Sequence, residues 1–198
     1  MAHNKCDLDV CIGNIDVCFL GMKGQAMKIS DISSDQTINL TYRKMKEEDI
    51  KALVPIMKAA FDEDTRMHTD LEEDGPFGYD DGSLLESELA HRNTDSYVIF
   101  VNDHIAGGYC VIDMERTCTL DLLFLNPAYC SLGIGSRVWK HIEESYPDCD
   151  TWLVETPDYS TRNHHFYEKC GFRKDHVNTY DASSKSFCFI KEMRMQQR

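Results

Sequence analysis

The sequence is poor in basic residues. It has 21 lysines and arginines against 34 aspartates and glutamates, so its formal net charge is −13 and its sequence pI is near 4.9. Proteins that bind nucleic acid rely largely on contacts between basic side chains and phosphates. The charge balance therefore argues against a nucleic-acid partner; it favours cationic partners or simply serves solubility.

Long apolar runs and metal-type cysteine spacings are also missing. No window approaches the about 20 apolar residues that span a bilayer. The apolar segment 10–22 contains Asn14 and Asp16, which argues against a secretory signal peptide. The nine cysteines include no C-x-x-C pair, so no zinc spacing appears, and their odd number leaves at least one thiol without a partner within the chain. We expect reduced thiols in a cytoplasmic protein without a membrane segment or a metal.

The length of 198 residues is ample for one domain with its own core. Residues 1–37 read as an N-terminal extension whose structure the pattern does not decide. They could form short strands, act as an interaction module for a partner, or precede a natural start at Met22 or Met27. The pattern sharpens from residue 38, so we assign residues 38–198 to the folded domain.

The first part of this domain reads as a strand followed by two helices. Residues 38–45 alternate like a half-buried strand. Residues 47–61 place apolar side chains on one helical face, with Pro55 expected to kink or end the first part of that helix. Residues 62–82 read as an acidic loop, and Ser83 with Glu86 predicts a capping box that opens the second helix.

The remainder alternates between strands and helices. The expected elements are three strands at 96–101, 105–113 and 118–125, a helix from Gly133, a strand at 151–156, a helix at 160–170 and a last strand at 186–195. This order predicts an α/β (α+β) fold with one mixed, mostly antiparallel sheet flanked by helices. The strand–helix–strand unit at 118–156 should be parallel and right-handed.

Two glycines, Gly133 and Gly135, stand between the end of a strand and the start of a helix. The first N–H groups of a helix have no internal partner, and the helix dipole adds positive potential, so such an end binds phosphate readily. A P-loop would need a lysine that is absent, and the third glycine of a dinucleotide fingerprint would fall on Val138. The alternative is a tight turn packed close to the sheet.

A second block of sequence extends this interpretation. Taken with NPAYCSLGIG at 126–135, the stretch STRNHHFYEKCGF at 160–172 resembles the GNAT superfamily of acetyl-CoA-dependent N-acetyltransferases, and the resemblance covers roughly residues 38–195. The paired motifs are a [QR]-x-x-G-x-[GA] loop and a helix that carries Y-E-K-x-G-F. The resemblance implies a GNAT-like sheet with splayed parallel strands around the coenzyme A site.

The resemblance also implies how coenzyme A is held. Backbone amides of the glycine loop would bind the pyrophosphate, and the end of the preceding strand would pair with the pantetheine arm. The implied cofactor-binding residues are Leu123, Phe124, Leu125, Cys130, Ser131, Leu132, Gly133, Ile134, Gly135, Ser136, Ser160, Asn163 and Tyr167.

Two positions depart from the family pattern. Cys130 stands where the loop usually opens with Gln or Arg, which should weaken side-chain support but leave the amides in place. Ser160 stands where the family often has Asn. Asn163, one helical turn further on, is a candidate substitute, and Ser160 can also simply cap the helix.

The activity implied is transfer of an acetyl group from acetyl-CoA to a primary amine in a direct ternary complex. Tyr167 matches the general acid that protonates the leaving sulfur, although it could merely pack beside neighbouring aromatic rings. Glu155 is the first candidate for the general base, with burial expected to raise its pKa, and Asp121 is the second. A chain of ordered waters could replace both. A strand amide, such as that of Leu125, would hold the oxyanion.

The adjacent His164 and His165 do not predict a metal site. Neighbouring residues of a helix point about 100° apart, whereas chelating histidines are spaced i, i+4. We therefore expect packing and surface roles for them, and no metal.

The acceptor is expected to be a cationic amine, either a small molecule or a peptide. Segment 62–88 holds eleven acidic residues and only Arg66 among lysines and arginines, and in the family this region forms part of the acceptor wall. The acidic residues are Asp62, Glu63, Asp64, Asp70, Glu72, Glu73, Asp74, Asp80, Asp81, Glu86 and Glu88. Phe77 and Tyr79 are candidate aromatic contacts. A solvated loop is the alternative for the segment.

Two other interpretations of the whole chain remain open at this stage. It could be a non-catalytic acyl-CoA-binding or sensor domain, or an interaction module built on residues 1–37. A homodimer is also compatible with the sequence.

Overall fold

The computed structural model describes residues 38–130, 132–180 and 184–193. The strands are β1 (Leu40–Lys44), β2 (Thr94–Val101), β3 (His104–Met114), β4 (Thr117–Leu125), β5 (Thr151–Pro157), β6 (Arg173–Thr179) and β7 (Lys185–Glu192). The helices are α1 (Glu47–His68), α2 (Ser83–Ala90), α3 (Ile134–Ser145) and α4 (Thr161–Lys169), with a short 3₁₀ turn at Pro127–Tyr129. The expectations for residues 1–37 lie outside the described residues.

The seven strands form one sheet in the order β1-β2-β3-β4-β5-β7-β6. Every neighbouring pair is antiparallel except β4 and β5, which are parallel. Each face of the sheet carries an apolar core, one built on Leu53 and Met57 of α1 and the other on Val138 and Trp139 of α3. The predicted fold class, a mixed and mostly antiparallel sheet flanked by helices, is confirmed. No helix among the described residues is long and apolar enough to cross a membrane.

Helix α1 is longer than the sequence indicates. It passes through Pro55 without ending and continues to His68, so the first third of the expected acidic loop is helical. The reason is that Asp62 lies in the interior, 5% exposed, where it accepts hydrogen bonds from Lys58 Nζ at 2.7 Å and Tyr79 Oη at 2.9 Å. Burial of a carboxylate is favourable only when it is hydrogen-bonded, and the sequence does not show that Asp62 has two such donors, so it resembles an exposed loop residue there.

The expected capping box of α2 is wrong. Gly82 occupies the N-cap position with φ of 96°, and Ser83 is already helical, donating through its amide and its hydroxyl to Asp81 Oδ1. Strand β6 was not expected from the sequence, because this edge strand is polar and mostly exposed and lacks the alternation of a half-buried strand. The last strand ends at Glu192 rather than at 195.

The junction of β4 with its neighbours positions the site. Pairing with β5 runs from Thr117, opposite Thr151, only as far as Leu120, opposite Val154. On the other side the register with β3 shifts between Cys110 and Val111, which leaves Asp121 as the extra residue of a bulge. As a result Leu120 packs in the core beside α3, whereas Leu122, two residues further along the strand, packs in the core beside α1.

Candidate active site

A cleft of about 1080 Å³ opens where β4 and β5 part. The end of β4, the start of α3, the end of β5 and parts of α1 and α4 line it. Predicted cofactor residues that line it are Leu123, Phe124, Leu125, Cys130, Gly133, Ile134, Gly135, Ser136, Asn163 and Tyr167, and the predicted bases Asp121 and Glu155 line it too.

Two of the predicted residues that the structure describes, Leu132 and Ser160, do not line the cleft. Leu132 is exposed and does not line it, and Ser131 lies outside the described residues. Ser160 holds the N-cap position of α4 but is fully buried, and its hydroxyl neither caps the helix nor finds another partner among the described residues. Asn163 therefore reaches the cleft from α4, whereas Ser160 does not.

The start of α3 presents unpaired backbone donors. No side chain within the described ranges caps this helix, and its first internal hydrogen bond joins the Arg137 amide to the Gly133 carbonyl at 3.3 Å. The amides of Ile134, Gly135 and Ser136 precede that bond, so they have no partner within the helix. Donors of this kind at the positive end of a helix dipole suit a phosphate.

The two glycines of this turn have different reasons to be glycine. Gly133 has φ of 70°, a left-handed conformation that costs other residues about 1–2 kcal/mol. A Cβ added there would meet no described atom within 4 Å, so it would project into open space at the cleft. A Cβ on Gly135 would instead lie 3.2 Å from Cε2 of Phe166. Gly135 therefore serves the close packing of α3 against α4.

Tyr167 reaches the cleft from within an aromatic cluster. It is 8% exposed, and its ring lies 5.2 Å from Phe166, 5.8 Å from Phe172 and 6.0 Å from Phe189, measured between ring centroids. Burial raises the pKa of its phenol well above the usual value, with smaller contributions from Cys170 and Asp64. The phenol therefore keeps its proton at neutral pH and is available there as a proton donor.

The carboxylate of Glu155 accepts hydrogen bonds from three side chains. The donors are Asn178 Nδ2 at 3.1 Å and the hydroxyls of Tyr180 and Ser186. Burial alone would raise the pKa of this carboxyl, but these hydrogen bonds outweigh it, so the pKa is lowered. The expected rise was wrong, because the donors come from β6, β7 and the connection between them, and the sequence did not reveal β6.

Only part of the acidic segment faces the cleft. Of its eleven acidic residues, Asp64 and Asp74 line the cavity, while Glu73 forms an ion pair with Lys58 at 2.9 Å. The two expected aromatic contacts do not line the cleft either. Tyr79 is buried and donates a hydrogen bond to Asp62, and Phe77 is 93% exposed to solvent.

Charge in the cleft is nevertheless more negative than positive. Among the described residues, five carboxylates and three basic side chains line it. The carboxylates are Asp64, Asp74, Asp121, Glu155 and Asp158, and the basic side chains are Arg162, Lys169 and Lys185.

Contacts between α1 and α4 close one wall of the cleft. Arg162, in the first turn of α4, lies 3.4 Å from Glu63 and 3.7 Å from Asp64, and its amide donates to His68 Nε2 at 3.4 Å. His68 Nδ1 then donates to the Asp64 carbonyl at 2.8 Å. The His68 imidazole thus accepts a hydrogen bond from an amide in the first turn of α4. No local sequence pattern predicts this contact.

His164 has the packing role expected for it. Its Nε2 lies 2.9 Å from the Pro157 carbonyl, and its ring stacks on Phe187 with centroids 4.9 Å apart. No group of three or more metal-ligating side chains is found in the part of the chain that the structure describes.

Comparison with known proteins connects this geometry with a family. The model of the acetyltransferase (GNAT) family matches residues 57–172 of the chain. The chain is also 36% identical over 102 residues to the uncharacterized protein YrkN of Bacillus subtilis (strain 168). That alignment spans 50% of this chain and about half, 55%, of the relative's length.

Solved structures share the fold at low sequence identity. The PaiA N-acetyltransferase of Thermoplasma acidophilum in complex with coenzyme A has a TM-score of 0.63 at 17% identity, covering 78% of this chain and 99% of its own. The ribosomal-protein-S18-alanine N-acetyltransferase of Escherichia coli has a TM-score of 0.61 at 14% identity, covering 81% and 99%. At such identities the likeness shows the fold alone.

Proposed function

We propose that this chain, which belongs to the GNAT family of acetyltransferases, transfers an acetyl group from acetyl-CoA to a primary amine. The observation that carries the proposal is one cleft that holds the open edge of β4, the uncapped start of α3 and Tyr167. Acetyl-CoA supplies an activated thioester. The chain's own groups then have to bind and orient the reactants and move protons.

The described residues fit coenzyme A. The amides of Ile134, Gly135 and Ser136 offer donors to a pyrophosphate, and the missing side chain of Gly133 leaves the space beside them open. Beyond Leu120, β4 pairs with no described residue on the β5 side, so its backbone can hydrogen-bond the amides of a pantetheine arm. The structure of the Thermoplasma acidophilum relative was solved with coenzyme A, which supports the same assignment here.

Tyr167 is proposed as the general acid. When the carbon–sulfur bond breaks, the leaving thiolate needs a proton, and a phenol with a raised pKa retains one at neutral pH. Direct transfer in a ternary complex asks for no covalent nucleophile from the chain. The acetyl group then passes straight from sulfur to nitrogen.

The acceptor is proposed to be a cationic amine. Amines are mostly protonated at neutral pH, and five lining carboxylates against three basic side chains give the cleft a negative potential that attracts them. Both small molecules and basic peptide ends meet this description.

An acceptor screen tests the proposal. Calorimetry first measures coenzyme A binding to the folded protein, and thiol release from acetyl-CoA is then followed with a panel of amines, with Tyr167→Phe run in parallel. We expect binding, and amine-dependent thiol release that the variant loses. Absence of coenzyme A binding would overturn the assignment. Binding without turnover on any amine would instead make the chain an acyl-CoA-binding or sensor domain.

A further inference from the structure

The carboxyl group of Glu88 on α2 contains a buried oxygen, Oε2, that has no donor among the described residues. Buried polar atoms in folded proteins are nearly always paired, and leaving one unpaired costs about 1–3 kcal/mol. Among the described residues, the carboxyl of Asp121 on β4 lies within hydrogen-bonding reach of the Glu88 carboxyl. Two ionised carboxylates are both acceptors only, so they can bond to each other only when one of them carries a proton.

The fold brings these two residues together from distant parts of the chain. Glu88 follows Leu85 by three positions, so the two share one face of α2, and Leu85 is fully buried against the sheet. Asp121 is the extra residue of the β4 bulge, and such bulges change the direction of a side chain. Asp121 lines the cleft, whereas Glu88 does not.

The surroundings of Glu88 favour its protonated form. Burial comes first and the Asp121 carboxylate second in raising the pKa of Glu88 to about 7. Cys110 on β3 is the other titratable group there, and burial raises the pKa of its thiol to about 12, so it stays neutral. On α1, Glu47 and Lys51 line a separate groove, and none of the described cations acts on the Glu88 carboxyl.

We propose that Glu88 and Asp121 bind one proton between them and that this shared proton is the one which the acceptor amine must lose. Asp121 is the member that meets the amine in the cleft, and Glu88 is a positioning residue that acts through it. This inference rests on the proposed acetyl transfer. It also decides between the two bases expected from the sequence, because the three donors on Glu155 make that carboxylate a weak proton acceptor.

The proton balance closes with the groups already described. The ammonium of the acceptor gives one proton to the ionised pair, whose charge changes from −2 to −1. The freed lone pair forms the carbon–nitrogen bond as the carbon–sulfur bond breaks. Tyr167 protonates the sulfur and regains its proton from the second one that the nitrogen loses. The pair then releases its proton to water, so each turnover yields amide, thiol and one proton.

The shared proton can be tested without activity. The folded pKa of Glu88 lies above its usual 4.5, so its contribution to stability is complete below that pH and is lost as pH rises through about 7. The midpoint of urea unfolding of the parent should fall between pH 5 and pH 8, and Glu88→Gln should remove much of this fall. Glu86→Gln, an exposed neighbour on the same helix, is the control and should follow the parent. Parallel curves for the parent and Glu88→Gln would overturn the shared proton.

The catalytic role needs a second measurement, the pH dependence of kcat with one saturating amine. The parent should show an acidic limb near pH 7, and Glu88→Gln should move that limb at least about one unit lower, because Asp121 then lacks its like-charged neighbour. Asp121→Asn should lower kcat by about 10²–10⁴-fold and leave coenzyme A affinity unchanged. If Glu88→Gln alters the unfolding profile but the limb stays in place, the pair is structural and the catalytic proposal is wrong. If the parent acetylates no amine, the proposed function fails, whereas the unfolding result still stands.

Discussion

Leu120 on β4 lies opposite Val154 on β5, and the two parallel strands separate directly after this pair. The next residue on each strand is acidic, Asp121 on one and Glu155 on the other, and both line the cleft that the separation opens. The site therefore arises where the sheet stops pairing. Its chemistry depends on what surrounds two carboxyl groups that start from similar positions.

Substitutions at Gly133 and Gly135 should affect coenzyme A binding and protein stability to different extents. Gly133→Val should cost about 1–2 kcal/mol of stability through its left-handed backbone and abolish coenzyme A binding, because its side chain would project beside the α3 amides. Gly135→Val should instead lower the melting temperature more strongly, since its Cβ would lie 3.2 Å from Cε2 of Phe166 and its methyl groups would crowd that ring further. Thermal denaturation and calorimetry measure the two effects. A folded Gly133→Val protein with unchanged coenzyme A affinity would contradict the phosphate assignment.

Tyr167→Phe should slow turnover without weakening the cofactor. Removing the hydroxyl and keeping the ring preserves the packing on Phe172 and Phe189. General acid catalysis is worth about 10²–10⁴-fold, so kcat should fall by that factor with little change in the Kd for coenzyme A. Because the pKa of the phenol is raised, the parent should also keep its activity up to about pH 10 and beyond. An unchanged kcat, with chemistry shown to limit the rate, would exclude Tyr167.

Glu155 should show the opposite pH linkage to Glu88. Its folded pKa is lowered, so its contribution to stability is present above its usual 4.5 and is lost as pH falls through the folded value. The parent should therefore lose stability in acid, and Glu155→Gln should lose less over the same range. Urea unfolding between pH 6 and pH 3 measures this difference, and an identical acid loss in both proteins would count against the three hydrogen bonds.

The acceptor preference can be tested at the mouth of the cleft. Asp74 is exposed and lines the cleft, whereas Glu72 is exposed and does not. Exposed charges contribute about 0.2–1 kcal/mol, so Asp74→Asn should raise the KM of a cationic amine by about 1.5- to 5-fold and flatten its salt dependence. The matched Glu72→Gln should resemble the parent, and the KM for acetyl-CoA should not change in either. Equal acceptor kinetics in all three proteins would leave the acidic segment as a solvated surface.

The expectations that succeeded concern features encoded locally. The strands expected at 96–101, 105–113 and 118–125 are present as β2, β3 and β4, and left-handed Asn102, Asp103 and Glu115 form the short turns between them. The expectations that failed concern residues whose environment is set by partners distant in the sequence. From the sequence, Asp62 is expected to lie in a loop, but in the structure Lys58 neutralises its charge and Tyr79 donates a hydrogen bond to it inside the core.

The sequence by itself determined the fold class and the position of the cleft. Periodicity, turns and the two motif blocks are patterns of residues that lie close together in the sequence, so they can be recognised without the fold. Only the tertiary structure decided what the acidic groups do. Glu155 takes its donors from Asn178 and Ser186, 23 and 31 positions away, and Glu88 meets Asp121 across two elements. The proton affinity of a carboxyl group follows from its burial and its neighbours in space, and those are set when the chain folds.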